Sequence, residues 1–115
     1  MIASQAKGRY FIMKKRLQDE NIDYLYKAIL SLKNTEECYD FFEDLCTIAE
    51  IKAMAQRLLV ARLLRENKLY VDIIAQTGVS TATISRINRC LHYGSDGYAT
   101  VLDRMSEEEN GAEEK

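Results

Sequence analysis

The run from Val79 to Tyr93, VSTATISRINRCLHY, holds hydroxyls, a carboxamide, two guanidiniums and an imidazole, yet no carboxylate, in a chain with 18 Asp and Glu residues. Thr81, Thr83, Ser85, Arg86, Asn88 and Arg89 are of the types that bond phosphate oxygens and base edges. A helix bare of acids is what the groove of a polyanion demands. The small residues Ser80, Thr81, Ala82 and Thr83 allow a backbone to approach closely. The candidate contacts to double-stranded DNA are therefore Ser80, Thr81, Ala82, Thr83, Ser85, Arg86 and Arg89.

Other chemistry has few parts to work with. The chain has one histidine, His92, three cysteines, and neither a Cys-x-x-Cys pair nor a glycine-rich phosphate loop. His92 falls at a predicted helix C-terminus, where a cation is favoured whatever its role. No catalytic residue, metal ligand or cofactor is assigned, and the protein is not expected to be an enzyme. Cys38, Cys46 and Cys90 lack metal-ligand spacing and are expected to be buried and inert, as suits a reducing compartment.

The elements that position the acid-free run follow from periodicity and punctuation. A chain of 115 residues with no proline and 30% charged side chains favours one helical domain. Ile22, Leu25, Ile29 and Leu32 predict an amphipathic helix over about Asn21 to Leu32, ending at Asn34. Thr35 with Glu36 and Glu37 predicts the start of a second, whose stripe is Cys38, Phe41, Phe42 and Leu45. Thr47 and Glu50 form a capping box ahead of a third helix, about Ile48 to Glu66. Its wide apolar stripe, Ile51, Met54, Ala55, Leu58, Leu59 and Leu63, implies burial against more than one partner. A short helix, Tyr70 to Gln76, ends at Gly78, and Ser80 caps another, Thr81 to about His92, which Gly94 closes. A last helix runs from about Gly97 to Met105. Two helices joined by a glycine turn form a helix-turn-helix over residues 70–93. The fold class is all-α, with about six helices.

The formal net charge of −2 is the sum of unlike segments. Residues 36–51 carry six acids and no base, residues 52–89 sum to +5, and residues 106–115 sum to −4. The last segment has the composition of a disordered acidic tail. Residues 1–18 are an N-terminal arm or a leader, with Met13 a candidate start, and residues 19–105 form the domain. No apolar run is long enough to span a membrane and no signal peptide is recognisable, so a cytoplasmic location is expected. An alternative function is a protein-interaction adaptor that uses the acidic second helix, Glu36, Glu37, Asp40, Glu43 and Asp44.

The segment GVSTATISRINRCLHYG (Gly78 to Gly94), with Gly97-Tyr98 and the Thr47-to-Arg57 stretch, resembles the Trp repressor superfamily, more closely its YerC/YecD-like branch. The resemblance spans about residues 20–105. It implies an intertwined homodimer that places two recognition helices in successive major grooves, about 34 Å apart, on a palindromic operator. The implied activity is sequence-specific transcriptional regulation, as a repressor. In tryptophan-binding relatives two arginines sandwich the indole; they match Arg57 and Arg86, and Thr47 matches a further pocket residue. Ile87 stands where those relatives carry glycine, and Cys90 stands at a serine position. Overfilling such a slot costs roughly 1 to 3 kcal/mol, so tryptophan is not the expected ligand. Arg57 and Arg86 are left to pair with acids of a second protomer, to face DNA, or to hold a different small-molecule effector.

Overall fold

Side-chain caps set the helix starts. In the computed structural model, which describes residues 19–114, the Asp19 carboxylate accepts from the Asn21 amide at 2.7 Å and opens α1 (Glu20–Leu30). Asn34 accepts from the Glu37 amide at 2.8 Å and opens α2 (Thr35–Leu45). The sequence reading makes Asn34 the end of the first helix and Thr35 the cap of the second. Asn34 is instead the cap, because its carboxamide reaches the N3 amide from extended backbone. The Thr47–Glu50 capping box forms as expected: the Glu50 amide donates to Thr47 Oγ1 at 3.1 Å and the Thr47 amide to Glu50 Oε1 at 2.9 Å.

That box opens α3 (Ile48–Arg65), followed by α4 (Tyr70–Thr77), α5 (Thr81–Tyr93) and α6 (Gly97–Glu114). Asn67, at φ 63°, ends α3 in a left-handed turn in which the Lys68 amide donates to the Leu63 carbonyl and the Asn67 amide to that of Leu64, both at 3.0 Å. The described residues are helical or irregular, with no strand among them. The all-α class and six helices match the sequence reading.

Two compact units divide between Cys46 and Thr47. In the first, neither α1 nor α2 has a buried residue, and Phe41 and Phe42 meet edge to face with centroids 5.4 Å apart. The second holds the core: Val60, Ala61 and Leu63 of α3, Ile73 of α4, Val79 of the turn, Ile84 and Ile87 of α5, and Leu102 of α6. Only the C-terminal half of α3 reaches it. Met54 and Ala55, assigned to the apolar stripe, are exposed, because α3 turns Val60, Ala61 and Leu63 toward its neighbours instead.

Two further expectations are corrected. α6 continues from Met105 to Glu114, through the segment read as a disordered tail; it is rich in glutamate, a good helix former, and has no proline to stop it. Cys90 is exposed on α5, and Cys38 and Cys46 are half-buried, so none is sealed in the core. The arm or leader assigned to residues 1–18 lies outside the described residues. Among those described, no helix is long and apolar enough to cross a membrane.

Candidate nucleic-acid interface

The turn between α4 and α5 is held from three sides. Gly78 takes φ 73°, a left-handed conformation, and its amide donates to the Ile74 carbonyl at 2.8 Å. The Thr77 hydroxyl donates to the Ile73 carbonyl at 2.7 Å and accepts from the Val79 amide at 3.2 Å, which fixes Val79 into the core. Gln56 of α3 donates from Nε2 to the Thr77 carbonyl at 2.9 Å, so α3 braces the end of α4. At the far end of α5, a Cβ on Gly94 would run into the Cys90 carbonyl oxygen, which fits only glycine to that close approach.

Ile84 and Ile87 anchor α5 on one side, at 0% and 2% exposed. Thr81, Ala82, Ser85, Arg86 and Arg89 lie on its exposed surface, as the sequence assigns them. Ser80 and Thr83 are engaged in capping. The Thr83 amide donates to Ser80 Oγ at 3.2 Å, and the Ser80 hydroxyl donates to Thr83 Oγ1 at 3.0 Å. They fix the start of α5 as well as lining its flank.

The polar residues of α5 sort onto two grooves. One, of about 290 Å³, is lined by Ala53, Gln56 and Arg57 of α3 with Val79, Ser80, Thr83 and Arg86. It brings together Arg57 and Arg86, which lie far apart in sequence. Of the other residues assigned to an effector pocket, Ile87 is in the core, Cys90 lies outside this groove, and Thr47 is committed to the α3 cap. The other groove, of about 390 Å³, is lined by Tyr70 at the start of α4 and by Ser85, Asn88, Arg89, His92 and Tyr93.

Neither groove has a carboxylate in its wall. Arg57, Arg86 and Arg89 make no ion pair with any described residue. The cleft between α3 and α6 is different: Arg65 meets Asp103 at 2.7 Å and donates to the Ala99 carbonyl at 3.2 Å, and Arg62 lies 3.9 Å from Glu66. Positive charge is thus neutralised beside α6 and left free along α5.

Tyr70, His92 and Tyr93 are absent from the sequence-assigned contacts. Ser85, Asn88, Arg89 and His92 fall at i, i+3, i+4 and i+7, a spacing that could have placed His92 on this flank. Tyr70 reaches the groove by the docking of α4, which no local pattern reveals. Among the described residues no cluster of His, Cys, Asp and Glu could hold a metal ion.

The Trp repressor protein family matches residues 20–106. The chain is 55% identical over 100 residues to the uncharacterised protein YerC of Bacillus subtilis, covering 87% of this chain and 96% of that protein. A TrpR-like protein from Eubacterium eligens superimposes with a TM-score of 0.77 at 53% identity, covering 80% of this chain and 95% of that one. A candidate Trp repressor from Staphylococcus aureus does so with a TM-score of 0.76 at 47% identity, covering 81% and 93%. With α4, its turn and α5 as the helix-turn-helix, the chain belongs to the Trp repressor family, whose members are DNA-binding regulators rather than enzymes.

Proposed function

We propose that this protein is a sequence-specific transcriptional regulator, a repressor, that binds a palindromic operator in double-stranded DNA as a homodimer, with α5 of each protomer in the major groove. The distribution of free positive charge carries this reading. Arg86 and Arg89 stand unpaired along α5, whose exposed surface has no acid, and Arg57 of α3 shares a groove with Arg86, whereas Arg62 and Arg65 face acids elsewhere. Unpaired guanidiniums beside small hydroxyl residues suit phosphates and base edges. A second copy of the chain would cover α1 and α2, whose Tyr24 and Leu30 are 77% and 84% exposed. Sharing helices is how a short chain gains core area.

The groove of Arg57 and Arg86 suits a small carboxylate effector, because two guanidiniums can grip one anion. Tryptophan is not its expected ligand. Ile87 is packed in the core where the tryptophan-binding relatives need only a glycine. The adaptor reading has less support: Glu36 and Glu37 occupy the first turn of α2, where acids stabilise any helix, and Glu37 accepts from the Lys33 amide at 3.0 Å.

Selection of bound fragments from genomic DNA at two salt concentrations tests the proposal. A palindromic consensus and an affinity that falls steeply with salt are expected. A pool with no enriched half-site would overturn it in favour of the adaptor. Arg89→Ala is expected to weaken binding uniformly if Arg89 holds phosphate, or to relax one base position if it reads a base.

A further inference from the structure

We infer that the groove between the start of α4 and the second half of α5 is a phosphodiester site whose grip on DNA is controlled by a proton on His92. The inference rests on the DNA-binding reading above and names a contact and a regulation which that reading lacks. All six lining residues can donate a hydrogen bond: the hydroxyls of Tyr70, Ser85 and Tyr93, the Asn88 amide, the Arg89 guanidinium and the His92 ring. A phosphate oxygen can accept from the hydroxyls, the Asn88 amide and the Arg89 guanidinium, and from the ring only when its Nε2 is also protonated; no carboxylate in the wall competes for Arg89.

The state of His92 follows from its hydrogen bond. Its Nδ1 lies 2.8 Å from the Asn88 carbonyl oxygen, which can only accept, so Nδ1 carries the proton. In the neutral ring Nε2 then presents a lone pair, a poor neighbour for a phosphate oxygen. A second proton turns Nε2 into a donor and adds a positive charge to the groove. The charged and titratable groups sharing the groove are Arg89 and Tyr93 of α5 and Tyr70 of α4. An arriving phosphate favours that second proton. DNA binding therefore takes up a proton, and affinity rises as the pH falls across the range where histidine ordinarily changes charge, about pH 8 to 5.

The test uses the full chain and a fluorescein-labelled genomic duplex, titrated by anisotropy at about pH 8 and about pH 5.5 over a salt series. In the wild type, acidification is expected to tighten binding by about threefold and to steepen the dependence of log affinity on log salt by about 0.9, the signature of one more phosphate contact. His92→Gln is expected to lose both changes, binding with the same affinity and salt slope at the two pH values. Tyr70→Phe, which removes one neutral donor, is expected to weaken binding equally at both pH values with the salt slope unchanged. A pH response that survives His92→Gln, or wild-type binding indifferent to pH, would overturn the inference while leaving DNA binding intact. A wild type that binds no duplex at either pH defeats the DNA-binding reading itself. His92 is exposed, so the variant's fold can be checked by matching its circular dichroism to that of the wild type.

Discussion

α1 and α2 are announced in the sequence as clearly as α3 to α6, with side-chain caps, acidic first turns and apolar stripes, yet the two units use those stripes differently. In α3 to α6 the apolar residues close on one another around Ile73 and Ile84, both 0% exposed. In α1 and α2 the stripe residues such as Ile22, Leu25, Phe41 and Phe42 are only half-buried, and beside them Tyr24, Tyr26, Leu30 and Tyr39 stay exposed. A cap and a stripe therefore specify a helix without specifying what covers it. The unit that carries the candidate interface holds its own core, which gives α5 a rigid support. The other unit offers apolar surface, and a second copy is its proposed cover.

The largest effect that would test this contrast is a cavity in the core. Ile73→Ala is expected to cost about 2 to 5 kcal/mol, because the site is closed on every side and cannot collapse freely. Urea denaturation at fixed protein concentration measures it. A cost under about 1 kcal/mol would show that the α3 to α6 core is looser than its burial indicates.

Leu30→Asp addresses the other unit. Within one chain the residue is almost fully exposed, and the change there is expected to lie within about 0.5 kcal/mol. In the proposed homodimer the same substitution places a carboxylate in an apolar contact. Dimer dissociation is then expected to rise at least about tenfold, or about 1.4 kcal/mol, by sedimentation equilibrium. An unchanged dimer would remove Leu30 and the exposed face of α1 around it from the interface.

Between the two in character lies Gly78→Ala. The added Cβ meets no atom within 4 Å, so the cost is purely that of a left-handed backbone at φ 73°, about 1 to 2 kcal/mol. Gly78→Asn is expected to recover part of it, since asparagine tolerates that conformation. A thermal unfolding series of the three proteins separates this backbone cost from any packing effect.

What the sequence discloses about this molecule divides along the same line. The caps at Thr47 and Ser80, the left-handed Gly78, and the inward Ile84 and Ile87 are legible because each is decided within a few residues. The role of Asn34 is not legible, because asparagine serves equally at either end of a helix. Nor is the extension of α6, because a charged segment without apolar periodicity gives no local sign of the helix it forms. At the interface, the exposed residues of α5 were legible from their type. Their division between the Arg57–Arg86 groove and the Tyr70–His92 groove was not, because it depends on where α3 and α4 dock. Nor could composition say that Arg62 and Arg65 are spoken for by Glu66 and Asp103 while Arg86 and Arg89 are free.

The smallest predicted effect sits at the first residues of the core-bearing unit and is read through protons. The Thr47 backbone amide, and to a lesser degree its hydroxyl, holds the Glu50 carboxyl below its ordinary value, since each stabilises the charged form. A carboxyl depressed in the folded state adds stability at pH above its unfolded value and loses it as the pH falls through the folded one. Glu50→Gln is therefore expected to be less stable than the wild type near neutral pH, with the difference shrinking as the pH falls into the acid range. Thr47→Ala removes the hydroxyl that caps Glu50 but keeps the amide, so it is expected to raise the Glu50 value only part of the way. It is also expected to cost about 1 kcal/mol through the lost cap, measurable by urea denaturation across pH. Equal pH profiles for Glu50→Gln and the wild type would show that the box is made in the helix but adds nothing to the unit it opens.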